Sequence, residues 1–259
     1  MPLRFRQLSG PAELAGASRL LTAVFGSDGD SIPVDLLTAI GCAGGFVGGA
    51  LLDEEDLVGV AVGFGEIPPP ETDTAPALHS HVAAVSSAAR GLRVGQGLKW
   101  YQRDWALQRG IRVIHWTFDP LVRRNAVLNL NRLGAIATDY QENLYGAIPD
   151  NLNRGMESDR LLVRWELDNA RVLAAWERAN QRPPAGERAA REQADAPPGS
   201  VGGAAGLIDT PTDIEALVTT HPAAARRWRL QQRRAFAALA QGWTVTGIDP
   251  DGRYQVEIG

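Results

Sequence analysis

The most informative segment of the chain is residues 81–109: HVAAV (81–85), SSAA (86–89), RGLRVGQG (90–97) and LKWYQRDWALQR (98–109). An apolar strand leads into a glycine-containing turn, and the turn leads into a helix whose buried face is predicted by the spacing of Leu98, Tyr101 and Trp105. Such a turn directs several backbone N–H groups to one place, where the helix dipole adds partial positive charge. The segment therefore predicts an anion site suited to phosphate.

The residues of this turn fit two interpretations. Gly91, Gly95 and Gly97 lack a Cβ, so a ligand can approach the backbone, and Arg90 and Arg93 supply charge-assisted donors. Glycines at a strand–helix junction are equally often plain turn residues. No Gly-Lys-Ser/Thr follows, and the glycine spacing differs from a dinucleotide fingerprint, so those two phosphate-binding motifs are excluded.

Strands and helices alternate along the remaining chain, which predicts a mixed α/β sheet with helices on its faces. Before the turn we predict a strand at 3–8, a helix at 11–25 with Ser9 as N-cap, and a hairpin over 45–64. After it we predict a strand at 112–118, a helix at 121–133, a strand pair at 136–145 and 161–167, a helix at 220–240 and a final hairpin. Residues 182–206 are rich in proline and glycine and are predicted to form a linker.

The composition of the 259 residues excludes several protein classes. Hydrophobic residues make up 44%, which is typical of a globular protein, and the net charge of −4 argues against nucleic acid or an anionic membrane as the main partner. Cys42 is the only cysteine, which excludes an intramolecular disulfide and favours a reducing compartment. Because no long apolar stretch or signal peptide is present, we expect a cytoplasmic protein.

The turn Arg90–Gly97 resembles the pyrophosphate-binding turn of the GNAT superfamily of acyl-CoA N-acyltransferases. That pattern is Arg or Gln, two residues, Gly, one residue, then Gly or Ala; Arg90 and Gly95 match it, whereas Arg93 stands where the first glycine is usual. The stretches WTFDPLVRRNAVLNLNRLGA (116–135), LYG (144–146) and LNRGMESDRLLVRW (152–165), and the later ARRWRLQQRRAF (225–236), resemble a predicted-acetyltransferase subfamily of these proteins. The resemblance covers nearly the whole chain except the linker.

The resemblance implies a fold, a cosubstrate and a reaction. The fold would be a twisted, mostly antiparallel sheet whose central strands splay apart to admit acetyl-CoA or another acyl-CoA, with succinyl and longer groups left open and no metal. The amine of a small molecule, such as an amino acid, would attack the thioester directly. The resemblance assigns cofactor binding to Val85, Arg90, Gly91, Arg93, Val94, Gly95, Gln96, Gly97, Asn125 and Asn129.

The catalytic residues are less well determined by the sequence. The tyrosine that many family members use as general acid aligns with Leu130, so Tyr145 is the first candidate for that role and Tyr140 the second. A phenol can protonate a departing thiolate or hydrogen-bond to it, although a half-buried strand aromatic is the commoner role. Candidate bases are Glu66, His115 and Glu142, of which Glu66 is preferred.

Further polar residues have both functional and structural interpretations. Asn153 and Arg160 lie in a polar loop and are predicted to contact the acceptor, although Asp159-Arg160 could be a structural ion pair. His79 and His81 alternate onto one strand face, but no third metal ligand is evident nearby, so a metal site is disfavoured. The five arginines between 226 and 234 are interpreted as a solvated basic face more readily than as a nucleic-acid site.

These features predict an acyltransferase region at 1–168, a helix remnant and linker at 169–206, and a C-terminal helix–hairpin extension at 207–259. The protein would be a monomer or homodimer. The alternative to an enzyme is a non-catalytic acyl-CoA-binding or sensing module, which the replacement of the usual acid by Leu130 would suit.

Overall fold

The computed structural model describes residues 3–26, 32–53, 56–67, 75–147, 155–181, 206–239 and 241–258. The chain divides into two compact units, Met1–Trp116 and Thr117–Gly259. This division does not coincide with the boundaries that the sequence predicts at residues 168 and 206. The predicted linker lies almost wholly outside the described residues.

The first unit contains a sheet with the strand order β1-β2-β3-β4-β5. Neighbouring strands are antiparallel except β4 and β5, which are parallel. Its strands are β1 (Leu3–Gln7), β2 (Phe46–Leu52), β3 (Asp56–Glu66), β4 (Ala77–Val85) and β5 (Val113–Phe118), the last of which crosses the division between the units. Its helices are α1 (Pro11–Phe25), α2 (Val34–Cys42) and α3 (Val94–Leu107).

Helices cover both faces of this sheet, which explains why β2 and β3 are apolar on both sides. Leu21 of α1 and Leu37 of α2 form a core cluster with Val60 and Val62 of β3. α3 also packs on β3. The predicted N-cap of α1 is wrong: the cap position is Gly10, with φ of 78°, and the N–H of Ser9 instead donates to the Glu13 carboxylate at 2.9 Å. α2 is not predicted from the sequence, because it follows a proline rather than a polar cap residue.

The second unit contains a sheet with the order β7-β6-β9-β10-β8. Its strands are β6 (Ile136–Gln141), β7 (Arg160–Glu166), β8 (Gly206–Asp209), β9 (Trp243–Ile248) and β10 (Arg253–Ile258). Its helices are α4 (Arg123–Ala126), α5 (Ala170–Asn180), α6 (Ile214–Thr220) and α7 (Pro222–Ala237). β9 of the C-terminal extension pairs with β6, so the extension is part of the same sheet. The mixed α/β class and the mostly antiparallel strand order are as predicted.

Three predicted helices differ from the structure. The helix predicted over 121–133 is a single α-turn, Arg123–Ala126, that continues as a π-helix, Val127–Arg132, with the Leu133 N–H donating to the Leu128 carbonyl. Apolar spacing alone does not distinguish these two helix types. The helix predicted over 220–240 begins with Pro222, and a separate helix, α6, precedes it and ends at Thr220.

The predicted helix remnant after residue 168 is the 11-residue helix α5, capped by Asn169. The Arg171 guanidinium donates to the carbonyl oxygens of Leu130, Gly134 and Thr246, which joins α5 to the π-helix end and to β9.

Candidate functional site

β4 and β5 part within the first unit. In the described part of the chain their parallel pairing consists of Leu78 with Ile114 and His79 with His115. On the other edge of β4, Val82 pairs with Val62 and Ser80 with Gly63, so His81 is an extra residue that forms a β-bulge. A bulge bends a strand and increases its twist. β4 therefore turns away from β5 after His79, as expected for splayed central strands.

The turn after β4 leaves the N-terminus of α3 open. A 3-10 turn at Ser87–Ala89 is closed by the Ser86 hydroxyl, which accepts from the Ala88 N–H at 3.3 Å. α3 then begins at Val94, and its first turn has no side-chain cap among the described residues. The first N–H groups of a helix have no partners within the helix. This end of α3 therefore presents uncapped donors and the positive end of the helix dipole.

The predicted cofactor-binding residues around this turn differ in exposure. Arg90, Gly91 and Arg93 are exposed, Gly95 is half-buried, and Val94 is buried. Gln96 is buried, and its side-chain oxygen has no hydrogen-bond partner in the described structure. A buried acceptor without a donor is costly.

Gly91 and Gly97 of the turn are explained by different structural features. Gly91 adopts φ of +82°, which accounts for glycine there, and a Cβ on it would meet open space. A Cβ on Gly97 would lie 2.1 Å from the Phe5 ring of β1. Packing against Phe5 therefore explains Gly97, and its predicted role in close ligand approach is not needed to account for the missing side chain.

Arg93 carries backbone strain, because it adopts φ of 55° and ψ of 28° at the N-cap of α3, where the family pattern has glycine. Left-handed backbone costs a non-glycine residue about 1–2 kcal/mol. Since the side chain is exposed, we expect Arg93→Gly to raise the free energy of unfolding by about 1 kcal/mol in urea denaturation. Arg90→Gly is the control, because Arg90 has φ of −59° and gains no such relief. Equal effects of the two substitutions would contradict the strain.

A carboxylate and two imidazoles meet where β3, β4 and β5 lie side by side. The Glu66 Oε2 lies 2.7 Å from the His115 Nδ1, and the Glu66 Oε1 lies 3.6 Å from the His79 Nδ1. Burial lowers the pKa of His79 below the ordinary histidine value, despite the neighbouring carboxylate. The candidate bases Glu66 and His115, which the sequence analysis weighed separately, thus form one hydrogen-bonded pair. Such a pair can accept a proton and share its charge.

The aromatic ring of Phe64 lies beside His79 and His81. The Phe64 ring centroid lies 5.2 Å from that of His79 and 5.7 Å from that of His81. Burial lowers the pKa of His81 as well, so the imidazoles of His79 and His81 favour the neutral form. Among the described residues, no group of three His, Cys, Asp or Glu side chains could hold a metal ion.

In the second unit, Tyr140 belongs to a buried ion network. Its hydroxyl donates to the Asp159 Oδ2 at 2.5 Å, and Asp159 also accepts from the Arg233 guanidinium and the Asn143 N–H. Burial and the Asp159 carboxylate raise the pKa of Tyr140 well above the ordinary value, which makes it a weaker acid. The carboxylate of Asp159 pairs with Arg233 rather than with the adjacent Arg160.

The Arg233 contact also corrects the solvated-face interpretation of α7. Arg229 is buried, and its two terminal nitrogens lie 2.8 and 2.6 Å from the Asp119 carboxylate. Two of the five arginines are therefore bound to carboxylates of the same unit. Arg226, Arg227 and Arg234 are exposed.

Tyr145 is half-exposed and is held from three sides. Its hydroxyl lies 3.3 Å from the Thr117 hydroxyl, its N–H donates to the Ser158 hydroxyl at 2.8 Å, and the Arg160 guanidinium lies 5.4 Å from the ring centroid. Arg160, predicted to bind the acceptor, thus lies against the Tyr145 ring. Tyr145 keeps an exposed phenol, whereas that of Tyr140 is engaged by a carboxylate.

The remaining predicted site residues are placed as follows. Asn125 is half-buried, Asn129 is buried, and Glu142 is exposed with its carboxylate 3.7 Å from Arg233. Leu130 is completely buried. Asn153 lies outside the described residues. The sequence analysis missed Asn131, whose amide donates to the Ile248 carbonyl and accepts from the Ile248 N–H.

No protein-family model matches the sequence, and no curated protein does. Solved structures do match the fold. A chain of the NatC complex bound to Gag peptide and CoA has a TM-score of 0.52 and 14% identity, over 64% of this chain and 99% of that one. The yncA protein of Salmonella typhimurium with its cofactor acetyl-CoA has a TM-score of 0.51 and 16% identity, over 64% of this chain and 95% of that one.

An N-acetyltransferase from Staphylococcus aureus Mu50 has a TM-score of 0.51 and 12% identity, over 65% of this chain and 100% of that one. The chain therefore has the fold of the GNAT acetyltransferases, as the resemblance of its turn predicted. Among the described helices, none combines the length and apolar character needed to cross a membrane.

Proposed function

We propose that this protein is an acyl-CoA-dependent N-acetyltransferase. The observation that carries the proposal is the strand–turn–helix of the first unit: β4 parts from β5 at a bulge, and the turn after β4 leads into an α3 N-terminus without a side-chain cap. A CoA molecule has a pyrophosphate, which suits the helix N-terminus, and an extended amide-containing arm, which suits an unpaired strand edge.

The side chains and backbone of this segment offer hydrogen-bonding groups that suit CoA. Arg90 and Arg93 are exposed donors on the turn. The backbone of Val82–Val85 supplies both donors and acceptors to an arm laid along the strand. Structures of the same fold that contain CoA or acetyl-CoA support this assignment.

When bound, acetyl-CoA supplies a thioester that an amine can attack directly. The residues of this chain then have two tasks: they position the thioester and the amine, and they move protons. A β4 N–H beside the bulge would polarise the thioester carbonyl, and the Glu66–His115 pair would take a proton from the ammonium of the acceptor. Tyr145 would give a proton to the departing thiolate.

We propose a small-molecule amine as the acceptor. The Glu66 carboxylate lies 3.6 Å from the His79 Nδ1, and the His79 ring adjoins that of Phe64, so this part of the sheet offers a negative charge and aromatic surface to a cation. A peptide N-terminus is the other acceptor to test, because the NatC structure is bound to a peptide. Thiol release from acetyl-CoA, measured with a panel of free amines and amino acids and a panel of short peptides, distinguishes the two.

A non-catalytic acyl-CoA sensor is the second candidate, because a buried leucine, Leu130, stands where the family places its acid. Binding of acetyl-CoA with no thiol release across both panels would favour the sensor. Turnover with any amine would favour the enzyme.

Arg90→Ala is expected to weaken CoA binding by about 1.5–3 kcal/mol, the range for hydrogen bonds to charged groups. The exposed guanidinium lies on the turn that would hold the pyrophosphate, so calorimetric titration with CoA measures the loss. Arg19→Ala removes an exposed arginine from α1 and should leave the dissociation constant unchanged. An unchanged constant for Arg90→Ala would remove Arg90 from the site.

A further inference from the structure

Lys99 is the only lysine among the 26 Lys and Arg residues of the chain, and it is buried. It lies on the face of α3 that packs on the sheet, and the residue is 6% exposed. Burial lowers its pKa to about 7. A lysine can lose its proton when it is buried, whereas an arginine at the same position would stay charged.

The contacts of Lys99 join two strands. Its Nζ lies 2.7 Å from the Ser80 hydroxyl of β4 and 3.8 Å from the centroid of the Trp116 ring of β5. The Nζ also makes a weaker contact of 3.4 Å to the Gln102 side-chain oxygen. The partners of the ammonium are thus a hydroxyl, an amide and an aromatic face.

These partners stand where β4 and β5 separate. The parallel pairing ends with His79 and His115, so Ser80 and Trp116 would form the next pair in register. Instead, the Lys99 side chain contacts both residues, and the bulge at His81 follows at once. The Lys99 side chain therefore contacts both strands at the point where their pairing ends.

We infer that Lys99 is a positioning residue that holds β4 and β5 apart at the closed end of the acyl-CoA cleft. This inference rests on the proposed function. The pyrophosphate turn lies at the far end of β4, so an arm that runs from the turn along Val85–Val82 reaches Ser80 with its thioester end. Lys99 thereby fixes the place of the thioester without contacting the phosphate turn.

The test compares binding of acetyl-CoA with binding of 3′-phosphoadenosine 5′-diphosphate, the nucleotide half of CoA, by calorimetry. We expect Lys99→Met to weaken acetyl-CoA binding about tenfold or more while the nucleotide half binds as before. We also expect a higher melting temperature for Lys99→Met, since a buried ammonium no longer has to be removed from water. A residue with a merely structural role would lower it.

Ser80→Ala is the second variant and keeps the test valid if Lys99→Met fails to fold. It removes the contact to β4 and should also weaken acetyl-CoA binding, whereas Ser18→Ala, which deletes the buried α1 hydroxyl bonded to the Ile32 carbonyl, should not. Unchanged acetyl-CoA binding in Lys99→Met would overturn the inference, as would an equal loss of affinity for acetyl-CoA and for the nucleotide half. If Lys99→Met does not fold, the same two results in Ser80→Ala would overturn it. If the wild-type protein binds neither ligand, the proposed function fails instead.

Discussion

Tyr145→Phe is expected to lower kcat by about 10²–10⁴-fold, the usual contribution of general acid–base catalysis. The substitution removes the phenolic proton but keeps the ring, so its packing against the Arg160 guanidinium remains. The Thr117 contact is an exposed one at 3.3 Å, and its loss contributes little to stability. We therefore expect acetyl-CoA affinity to stay nearly constant in a thiol-release assay paired with calorimetry.

Tyr140→Phe is the matched control for this experiment. Its hydroxyl is bound to the Asp159 carboxylate, so its removal should lower stability and leave kcat nearly unchanged. A decrease in kcat of less than about threefold for Tyr145→Phe would contradict the assignment of the acid. A decrease in acetyl-CoA affinity instead would make Tyr145 a binding residue.

Asp159→Asn is expected to lower the free energy of unfolding by about 1.5–3 kcal/mol, the range for hydrogen bonds to charged groups. Asp159 is completely buried and accepts hydrogen bonds from Arg233, Tyr140 and the Asn143 N–H, so the substitution weakens a buried hydrogen-bond network. Arg233 keeps its ion pair with Glu157 at 2.6 Å. Urea denaturation measures the change. Asp251→Asn is the control, because Asp251 pairs with Arg253 at the exposed surface, where an ion pair contributes little to stability.

The same carboxylate gives stability a defined dependence on pH. Burial alone would raise the pKa of Asp159, but the hydrogen bonds from Arg233, Tyr140 and Asn143 outweigh burial and lower it. A carboxyl with a lowered folded-state pKa contributes stability above its unfolded value, about 3.9, and loses it as the pH falls through the folded value. Wild-type stability should therefore fall more steeply than that of Asp159→Asn below about pH 4. Parallel curves would contradict this origin.

The parts of the fold that the sequence predicts are those fixed by neighbouring residues. The strand before Val85, the turn with Gly91 and the helix from Val94 are specified by local turn chemistry and by apolar spacing, and the structure has all three. The same local rules predicted the hairpin of β2 and β3 and the final hairpin. They failed at the π-helix, because its apolar spacing resembles that of an α-helix.

Contacts between distant residues account for what the sequence did not predict. Glu66 and His115 are 49 positions apart, and Arg233 meets Asp159 across 74 positions, so no spacing rule links either pair. The arginines of α7 therefore looked like a solvated face, although two of them bind buried or half-buried carboxylates. Lys99 could have been singled out from composition alone, since it is the only lysine of the chain.

Binding of acetyl-CoA to the wild-type protein decides whether the opening between β4 and β5 is an acyl-CoA site. Calorimetric titration should show saturable binding at one site. In a parallel denaturation experiment, acetyl-CoA at 100 times its dissociation constant should raise the free energy of unfolding by about 2.7 kcal/mol. If millimolar acetyl-CoA produces neither heat of binding nor a change in unfolding, the cleft between β4 and β5 is not an acyl-CoA site.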